Sequence, residues 1–212
     1  MYETAEGSGR CTVRLRGKTI GIGISGSHCS YDEVLPEIAR LRDEGAAVVP
    51  VVSETVRTTD TRFTAARTLR ERLTELTGHE PIDSIVDAEP TGQKKTFDAF
   101  VIAPCTGNTL ARLANAFTDG PVLMAAKGTL RNQRPVVVAV SSNDILGGNA
   151  MNLALLLMRK HIYFVPFGQD NPDEKPTSCV AEFRLIVDTV AAALEGRQLQ
   201  PMLIQRNLRP VR

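Results

Sequence analysis

The sequence lacks the cysteine spacing of metal-binding and redox proteins. Its four cysteines are far apart, and none stands in a Cys-x-x-Cys motif or completes a zinc-ligand spacing with the three histidines. This distribution excludes zinc fingers and thioredoxin-like sites, and we expect no bound metal. Free thiols are typical of a reducing compartment, so the cysteines favour a cytoplasmic location.

The sequence also has little net charge and no long apolar run. The formal net charge is +1, which argues against a nucleic acid or an anionic membrane surface as partner. Apolar stretches such as residues 153–158 are far shorter than the roughly 20 residues that cross a bilayer. Residues 1–10 lack the apolar core of a secretory signal. We therefore expect a soluble protein that binds small molecules and other subunits.

What the chain does contain is a regular alternation of apolar strands and amphipathic helices. Five apolar runs of strand length occur, at residues 18–25, 46–52, 97–102, 135–140 and 161–165. Alternation of this kind, without an internal repeat, predicts an α/β fold with one parallel, doubly wound sheet. We place this single domain at residues 17–197, between a disordered N-terminal tail at 1–16 and an extended C-terminal tail at 198–212.

Three predictions concern the later connections and helices. Residues 87–95 are polar and contain proline and glycine, so we expect an exposed loop there. Met151, Leu155 and Met158 recur at helical spacing, which predicts that they lie on the core side of a helix. The polar stretch 166–178 predicts a long connection that acts as a mobile flap.

Polar residues follow four of the predicted strands at the point where each strand ends. Carboxyl ends of parallel strands meet at one edge of the sheet, where open α/β folds bind ligands, so we expect these residues to share one crevice. Helix N-termini at that edge favour a phosphate group. Ordinary strand-to-helix turns would explain the same residues. The candidate cofactor-binding residues are Gly26, Ser27, His28, Ser53, Thr55, Thr106, Gly107, Asn108, Thr109, Ser141 and Asn143.

Gly21, Gly23 and Gly26 match the Gly-x-Gly-x-x-Gly pattern of dinucleotide sites. The first two alternate with isoleucines inside the predicted strand, whereas the dinucleotide fingerprint needs them in the turn after it. We therefore do not interpret this stretch as a nicotinamide site.

His28 is the candidate for direct chemistry that the residues themselves suggest. A protonated imidazole in this turn would pair with a phosphate or a substrate carboxylate, and the alternative is that it packs beneath the loop. Lys127, Arg131 and Arg134 would suit a dicarboxylate, although basic residues at a helix end are also expected from the helix dipole. Cys105 has no histidine at a recognisable spacing, and we expect it to be inert.

Two resemblances to known families rest on particular segments. The stretch Pro104-Cys105-Thr106-Gly107-Asn108-Thr109 resembles the Pro-Ala-Ser-Ala-Asn-Thr motif of FMN-dependent cysteine decarboxylases and prenyl-transferring flavoproteins. Between residues 17 and 204, further segments resemble, in the same order, the family of B subunits of bacterial dipicolinate synthase. They include Gly26-Ser27-His28-Cys29, Thr58-Thr59-Asp60-Thr61-Arg62-Phe63 and Pro166-Phe167-Gly168-Gln169-Asp170.

The resemblance implies a fold, a reaction and partners. The fold is a flavodoxin-like Rossmann sandwich of three layers. The reaction is oxidation of dihydrodipicolinate to dipicolinate, the calcium-chelating acid of bacterial endospores. It requires the A subunit of dipicolinate synthase, which resembles a nicotinamide-dependent dehydrogenase. FMN would bind this chain, NAD(P) would bind the partner, and the chain would form a homo-oligomer.

The resemblance also implies roles for single residues. Gly26, Ser27 and Ser53 match positions around the FMN phosphate, and residues 106–109 match the motif that lines the flavin. Asn143 matches the asparagine of the decarboxylases' substrate motif, which makes it a second catalytic candidate. Between Ile82 and Phe100 this chain has no counterpart of the decarboxylases' histidine, so their chemistry is not carried over. The alternatives are a non-catalytic subunit that binds a small molecule or stabilises its partner and, third, an FMN-dependent decarboxylase or prenyltransferase.

Overall fold

A mostly parallel sheet forms the centre of the computed structural model, which describes residues 13–205. Its strands are β1 Thr19–Ile24, β2 Ala47–Val52, β3 Ala99–Cys105, β4 Val136–Ser142, β5 Ile162–Phe164, β6 Phe167–Gly168 and β7 Cys179–Ala181. The helices are α1 Tyr31–Asp43, α2 Glu54–Thr58, α3 Ala66–Thr77, α4 Ile85–Gln93, α5 Gly107–Ala114, α6 Pro121–Arg131, α7 Ala150–Leu157 and α8 Ile186–Leu194.

The order of the strands is that of a flavodoxin-like sheet. Four parallel strands lie in the order β2-β1-β3-β4, and β5 pairs in parallel with the first half of β4. The strand order reverses between β1 and β3, so their carboxyl ends flank the point where doubly wound sheets bind ligands. The predicted α/β fold is confirmed.

Apolar side chains on both faces of the sheet explain why it is covered by helices. Every residue of β3 is buried, and so are residues 136–141 of β4, as expected for parallel strands with helices on both sides. Gly21 and Gly23 lie inside β1 and pair with β2 and β3. Their position agrees with a strand rather than with a dinucleotide turn.

Helix α4 replaces the loop predicted at residues 87–95. Ser84 caps it, because its hydroxyl accepts a hydrogen bond of 3.1 Å from the Asp87 N–H. Helix α4 packs very closely on α6, since a Cβ atom at Gly92 would lie 2.7 Å from the Gly128 Cα. The prediction of a loop was therefore wrong: tertiary packing uses the glycine that, in the sequence alone, indicated a loop.

Helix α7 turns a different face to the core than its spacing predicted. Leu153 and Leu156 are buried, whereas Met151 and Met158 are 71% and 76% exposed and Leu155 is 41% exposed. Apolar residues occur on several sides of this helix, so periodicity alone could not choose the buried face.

In the stretch 166–178, residues 169–178 form the predicted long connection, and its mobility stays a prediction. The stretch also contains β6, and β7 follows it directly and pairs antiparallel with both β6 and the end of β4. Along β4, β5 therefore pairs with residues 136–138, and β7 pairs with Ser141 and Ser142 nearer the carboxyl end.

Parts of both predicted tails lie on the domain. Leu15 is fully buried, and Arg14 forms ion pairs with Glu44 at 2.7 Å and Asp188 at 2.6 Å. At the other end, the N–H of Phe167 donates to Met202 O at 3.0 Å. The predicted boundaries at 17 and 197 are thus too narrow, and residues 1–12 and 206–212 lie outside the described range. Among the described helices, none is long and apolar enough to span a membrane.

Candidate functional site

A cavity of about 450 Å³ opens at the carboxyl edge of the sheet, between the ends of β1 and β3. We call it the rim cavity. Seven of the predicted residues line it: Gly26, Ser53, Thr55, Thr106, Gly107, Asn108 and Thr109. Its opposite wall is the start of α6, at residues 120–123. The sheet thus brings together residues that lie far apart in the sequence.

Ser25 ties the turn after β1 to the end of β3. Its hydroxyl donates to Pro104 O at 2.6 Å and accepts from the Thr106 N–H at 3.0 Å. Thr106 in turn caps α5, since its hydroxyl oxygen accepts from the Thr109 N–H at 3.3 Å. The N–H groups of Gly107 and Asn108 are in the first turn of α5 and so have no acceptor within the helix. They give the rim cavity donors for an anion.

Asp144 and Asn149 form a part of the rim cavity that the sequence did not single out. The Asp144 carboxylate accepts from Ser142 Oγ at 2.7 Å and from Asn149 Nδ2 at 2.9 and 3.0 Å. A Cβ atom at Gly107 would lie 2.7 to 2.8 Å from these three side chains. Only glycine therefore lets α5 begin so close to this network. Asp144 directly follows the polar residues 141–143 at the end of β4, which was the one signal available in the sequence.

Among the described residues, three of the four charged side chains that line the rim cavity, Glu54, Arg112 and Asp119, form ion pairs. Glu54 pairs with Arg57 at 2.5 Å, and Asp119 pairs with Arg112 at 3.7 Å. These pairs offset part of the negative charge at the cavity. The Asp144 carboxylate is hydrogen-bonded to Ser142 and Asn149, and the α5 N-terminus supplies positive partial charge to the same cavity.

A second cavity of about 590 Å³, which we call the serine crevice, adjoins the rim cavity. The two share Gly26, Thr106 and Ser142 in their walls. In the serine crevice three hydroxyls form a triangle. Ser27 Oγ and Ser141 Oγ are 2.8 Å apart, Ser30 Oγ and Ser141 Oγ 3.0 Å, and Ser27 Oγ and Ser30 Oγ 3.3 Å.

His28 lines the serine crevice rather than the rim cavity. Its ring stands edge-on to Tyr31, with centroids 5.1 Å apart. Desolvation lowers the pKa of His28 below its ordinary value, which favours the neutral ring at neutral pH. That a protonated imidazole at this position pairs with a phosphate or a carboxylate stays a prediction. The Nδ1 atom is buried and has no hydrogen-bond partner among the described residues.

The remaining three predicted residues all line the serine crevice. Ser27, Ser141 and Asn143 line the serine crevice, so Asn143 and Asn108 lie in adjoining cavities rather than in one. Asn143 is exposed, and its carbonyl oxygen accepts from Thr177 Oγ1 at 2.6 Å. The structure therefore has two adjoining cavities where one crevice was predicted. That any of these residues binds a cofactor stays a prediction.

The basic residues considered for a dicarboxylate lie away from both cavities. Arg134 Nη1 donates to Phe97 O at 2.6 Å, just before β3 begins. Lys127 and Arg131 are in the second half of α6, whose first residues form the wall of the rim cavity. These three residues thus lie towards the amino edge of the sheet. Cys105 is fully buried, and desolvation raises its pKa, which is typical of an inert thiol.

Comparisons with known proteins point to one family. The profile of the flavoprotein family matches residues 9–195. The B subunit of dipicolinate synthase from Bacillus subtilis (strain 168) is 53% identical over 191 residues, which cover 90% of this chain and 96% of that protein.

Two solved structures extend the comparison. The B subunit of dipicolinate synthase from Bacillus halodurans C has a TM-score of 0.84 at 50% identity, covering 91% of this chain and 98% of that one. The cypemycin decarboxylase has a TM-score of 0.55 at 26% identity, covering 72% and 84% of the two chains. The decarboxylase is thus a more distant relative than the two dipicolinate synthase chains.

Proposed function

The chain belongs to the flavoprotein family, and we propose that it binds FMN in the rim cavity and acts as the B subunit of a dipicolinate synthase. Two relatives of that name are 53% and 50% identical to it over about nine-tenths of its length. The observation that carries the proposal is the position of the rim cavity, at the reversal of the strand order, where flavodoxin-like folds bind FMN.

The residues of the rim cavity fit a flavin nucleotide. Its volume of about 450 Å³ lies within the range of small-molecule sites, roughly 300 to 1,000 Å³. The first turn of α5 supplies N–H groups from Gly107 and Asn108, and Ser53 supplies a hydroxyl across the cavity. We assign FMN to the space between these two groups of donors.

The proposed reaction is oxidation of a dihydrodipicolinate, which removes a hydride and a proton from the ring. When bound, FMN would provide an acceptor for the hydride. This chain's own residues bind and orient the reactants, through the α5 N-terminus in the rim cavity and the hydroxyls in the serine crevice. We place NAD(P) on the separate A chain of the synthase and the reaction in the cytoplasm of sporulating bacteria. The homo-oligomer remains a prediction.

A mixing experiment tests this proposal. The rate of dipicolinate formation by the purified partner dehydrogenase with NAD(P) is measured with this chain, without it, and with its Asn108→Asp variant, in the presence of FMN. We expect the intact chain to raise the rate and Asn108→Asp to reduce that gain by about tenfold or more, because the new carboxylate opposes an anionic cofactor.

Gln93→Glu is the matched control. It makes the same amide-to-carboxylate change at an exposed position on α4, outside both cavities, and should leave the rate unchanged. An equal rate with and without the intact chain would refute the catalytic role.

A non-catalytic role beside the partner is the second candidate, and one observation favours it. Among the described residues that line the rim cavity, there is no histidine and no cysteine, so that wall offers no obvious proton carrier near neutral pH. If the chain stabilises its partner instead, Asn108→Asp should support dipicolinate formation as well as the intact chain does.

A further inference from the structure

A line of side-chain amides leads to Asp144 in the rim cavity. The exposed Asn115 donates from Nδ2 to Asn152 Oδ1 at 3.1 Å, and Asn152 donates from Nδ2 to Asn149 Oδ1 at 3.0 Å. The buried Asn149 then donates from Nδ2 to both oxygens of the Asp144 carboxylate, at 2.9 and 3.0 Å. All these bonds run in one direction, towards the cavity, and hydrogen bonds in such a chain strengthen one another. The carboxylate is therefore held in one fixed position.

The Asp144 carboxylate still has room for one more hydrogen bond. An ionised carboxylate offers about four acceptor sites, and the described side chains fill three of them, with one donation from Ser142 and two from Asn149. Asp144 is only partly buried, and it lines the rim cavity. The remaining site is therefore open to a ligand in that cavity. A carboxylate only accepts hydrogen bonds, so the ligand group there must carry an N–H or an O–H.

Hydrogen-bond donors lie directly beside this acceptor. A Cβ atom at Gly107 would lie 2.8 Å from Asp144 Oδ1, so the carboxylate is adjacent to the first turn of α5. The N–H groups of Gly107 and Asn108 have no acceptor within that helix. This wall of the cavity thus presents an acceptor and donors side by side. The ligand edge that matches it has an N–H next to a carbonyl oxygen.

The ring of FMN carries such an edge, because its imide N–H lies between two carbonyl groups. The other polar parts of FMN fit this wall less well. Its phosphate is an anion, which the Asp144 carboxylate repels, and its ribityl hydroxyls have no carbonyl group beside them. The ring imide is therefore the part of the cofactor that matches the wall formed by Asp144 and α5.

We propose that Asp144 accepts a hydrogen bond from the ring imide N–H of FMN and so determines which part of the cofactor lies against α5. The inference rests on the proposed function. Asn149 is a positioning residue, because it acts through Asp144. The contact gives Asp144 an effect opposite to that of its charge. The carboxylate repels an anionic cofactor as a whole, yet its removal weakens binding because the imide loses its acceptor.

Fluorescence titration of the intact chain and its Asp144→Asn variant with FMN tests the proposal. In the variant Ser142 and Asn149 occupy the single amide oxygen, and an NH₂ group replaces the acceptor that faces the imide. We expect the variant to bind FMN at least about tenfold more weakly, as the loss of a hydrogen bond to a charged group allows. If Asp144 acted through its charge alone, the variant would bind FMN more tightly.

A second flavin identifies the group that Asp144 contacts. 3-Methyl-FMN has a methyl group in place of the imide hydrogen and keeps the phosphate and the ribityl hydroxyls. The intact chain should bind it at least about tenfold more weakly than FMN, and Asp144→Asn should change its affinity by about twofold or less, since it has no imide N–H to lose. An equal loss for both flavins in the variant would place the contact on a ribityl hydroxyl and overturn the proposal.

Asp119→Asn is the matched control, because it removes the same charge from another residue that lines the rim cavity. Asp119 pairs with Arg112 at 3.7 Å, and this variant should bind FMN at least as tightly as the intact chain does. Urea unfolding without ligand shows whether Asp144→Asn is folded. If it is not, the intact chain decides: equal affinities for FMN and 3-methyl-FMN would overturn the proposal.

The outcome is separable from that of the proposed function. If the intact chain does not bind FMN, the flavin assignment fails, and this inference fails with it. If FMN binds but Asp144→Asn binds it as tightly as the intact chain does, the flavin site stands and only the role of Asp144 is refuted.

Discussion

The cavity that a residue lines depends on the direction of its side chain, and the sequence predicted these directions least well. Ser27 and Ser53 both follow strands and were predicted to lie near one phosphate. In the structure Ser53 lines the rim cavity, whereas Ser27 bonds to Ser141 in the serine crevice. The partner of Ser27 is 114 positions away. A side-chain direction that depends on so distant a partner cannot be derived from local spacing.

The titration of His28 provides a prediction at the residue scale. Desolvation lowers its pKa in the folded state, so the unfolded chain binds a proton at a higher pH than the folded chain does. Folding is therefore not penalised by His28 above its unfolded pKa, about 6.5. As the pH falls below that value, the unfolded chain takes up the proton first, and the free energy of unfolding decreases. We expect the stability difference between the wild type and His28→Gln to shift in favour of the variant between about pH 7.5 and 5.5.

Urea unfolding at several pH values measures this difference. Using the difference between two proteins cancels groups that both share, such as Glu37, whose burial raises its pKa. The charged groups in the same crevice are Glu33, Asp170 and Lys175. As a control for Asp170, the effect of His28→Gln is measured again in the Asp170→Asn variant. A stability difference that does not change with pH would contradict a desolvated, neutral His28.

At the scale of elements, strands were easier to predict than helix faces. β3 and β4 are apolar along nearly their whole length, so they can be predicted as strands from the sequence alone. Helix α4 contains Pro90 and Gly92, which locally favour a loop. It is helical because Ser84 caps it and because Gly92 packs closely against Gly128 of α6. The second cause is a tertiary contact, and a single sequence does not show it.

The contact between α4 and α6 gives a prediction about stability. A Cβ atom at Gly128 would lie 2.7 Å from the Gly92 Cα and 3.1 Å from its nitrogen. Since these are backbone atoms, the two helices would have to separate. Gly128→Ala should therefore lower the free energy of unfolding by about 1 to 3 kcal/mol, as overpacking does, although alanine favours helices.

Chemical denaturation compares this variant with Lys127→Ala, a change at the exposed neighbouring position on α6. The control should stay within about 0.5 kcal/mol of the wild type. A stability of Gly128→Ala equal to or above that of the wild type would show that the helices do not approach this closely.

For the whole molecule, sequence reasoning reached the fold and the edge of the sheet at which both cavities lie. The alternation of strands and helices predicted the parallel sheet, and the polar residues at four strand ends predicted that edge as the candidate site. The division of that edge into two cavities was not predictable. The serine crevice is lined in part by Val180 of β7, which lies beside the end of β4, and by Asp170 from the polar stretch 166–178. Neither has a local signal in the sequence.

The central claim is that the rim cavity is a flavin site, and titration of the purified chain with FMN tests it most directly. Quenching of flavin fluorescence should show one FMN bound per chain. Asn108→Asp should weaken binding by about tenfold or more, and Gln93→Glu should bind as the wild type does. Failure of the wild type to bind FMN, or equal binding by Asn108→Asp, would contradict the claim.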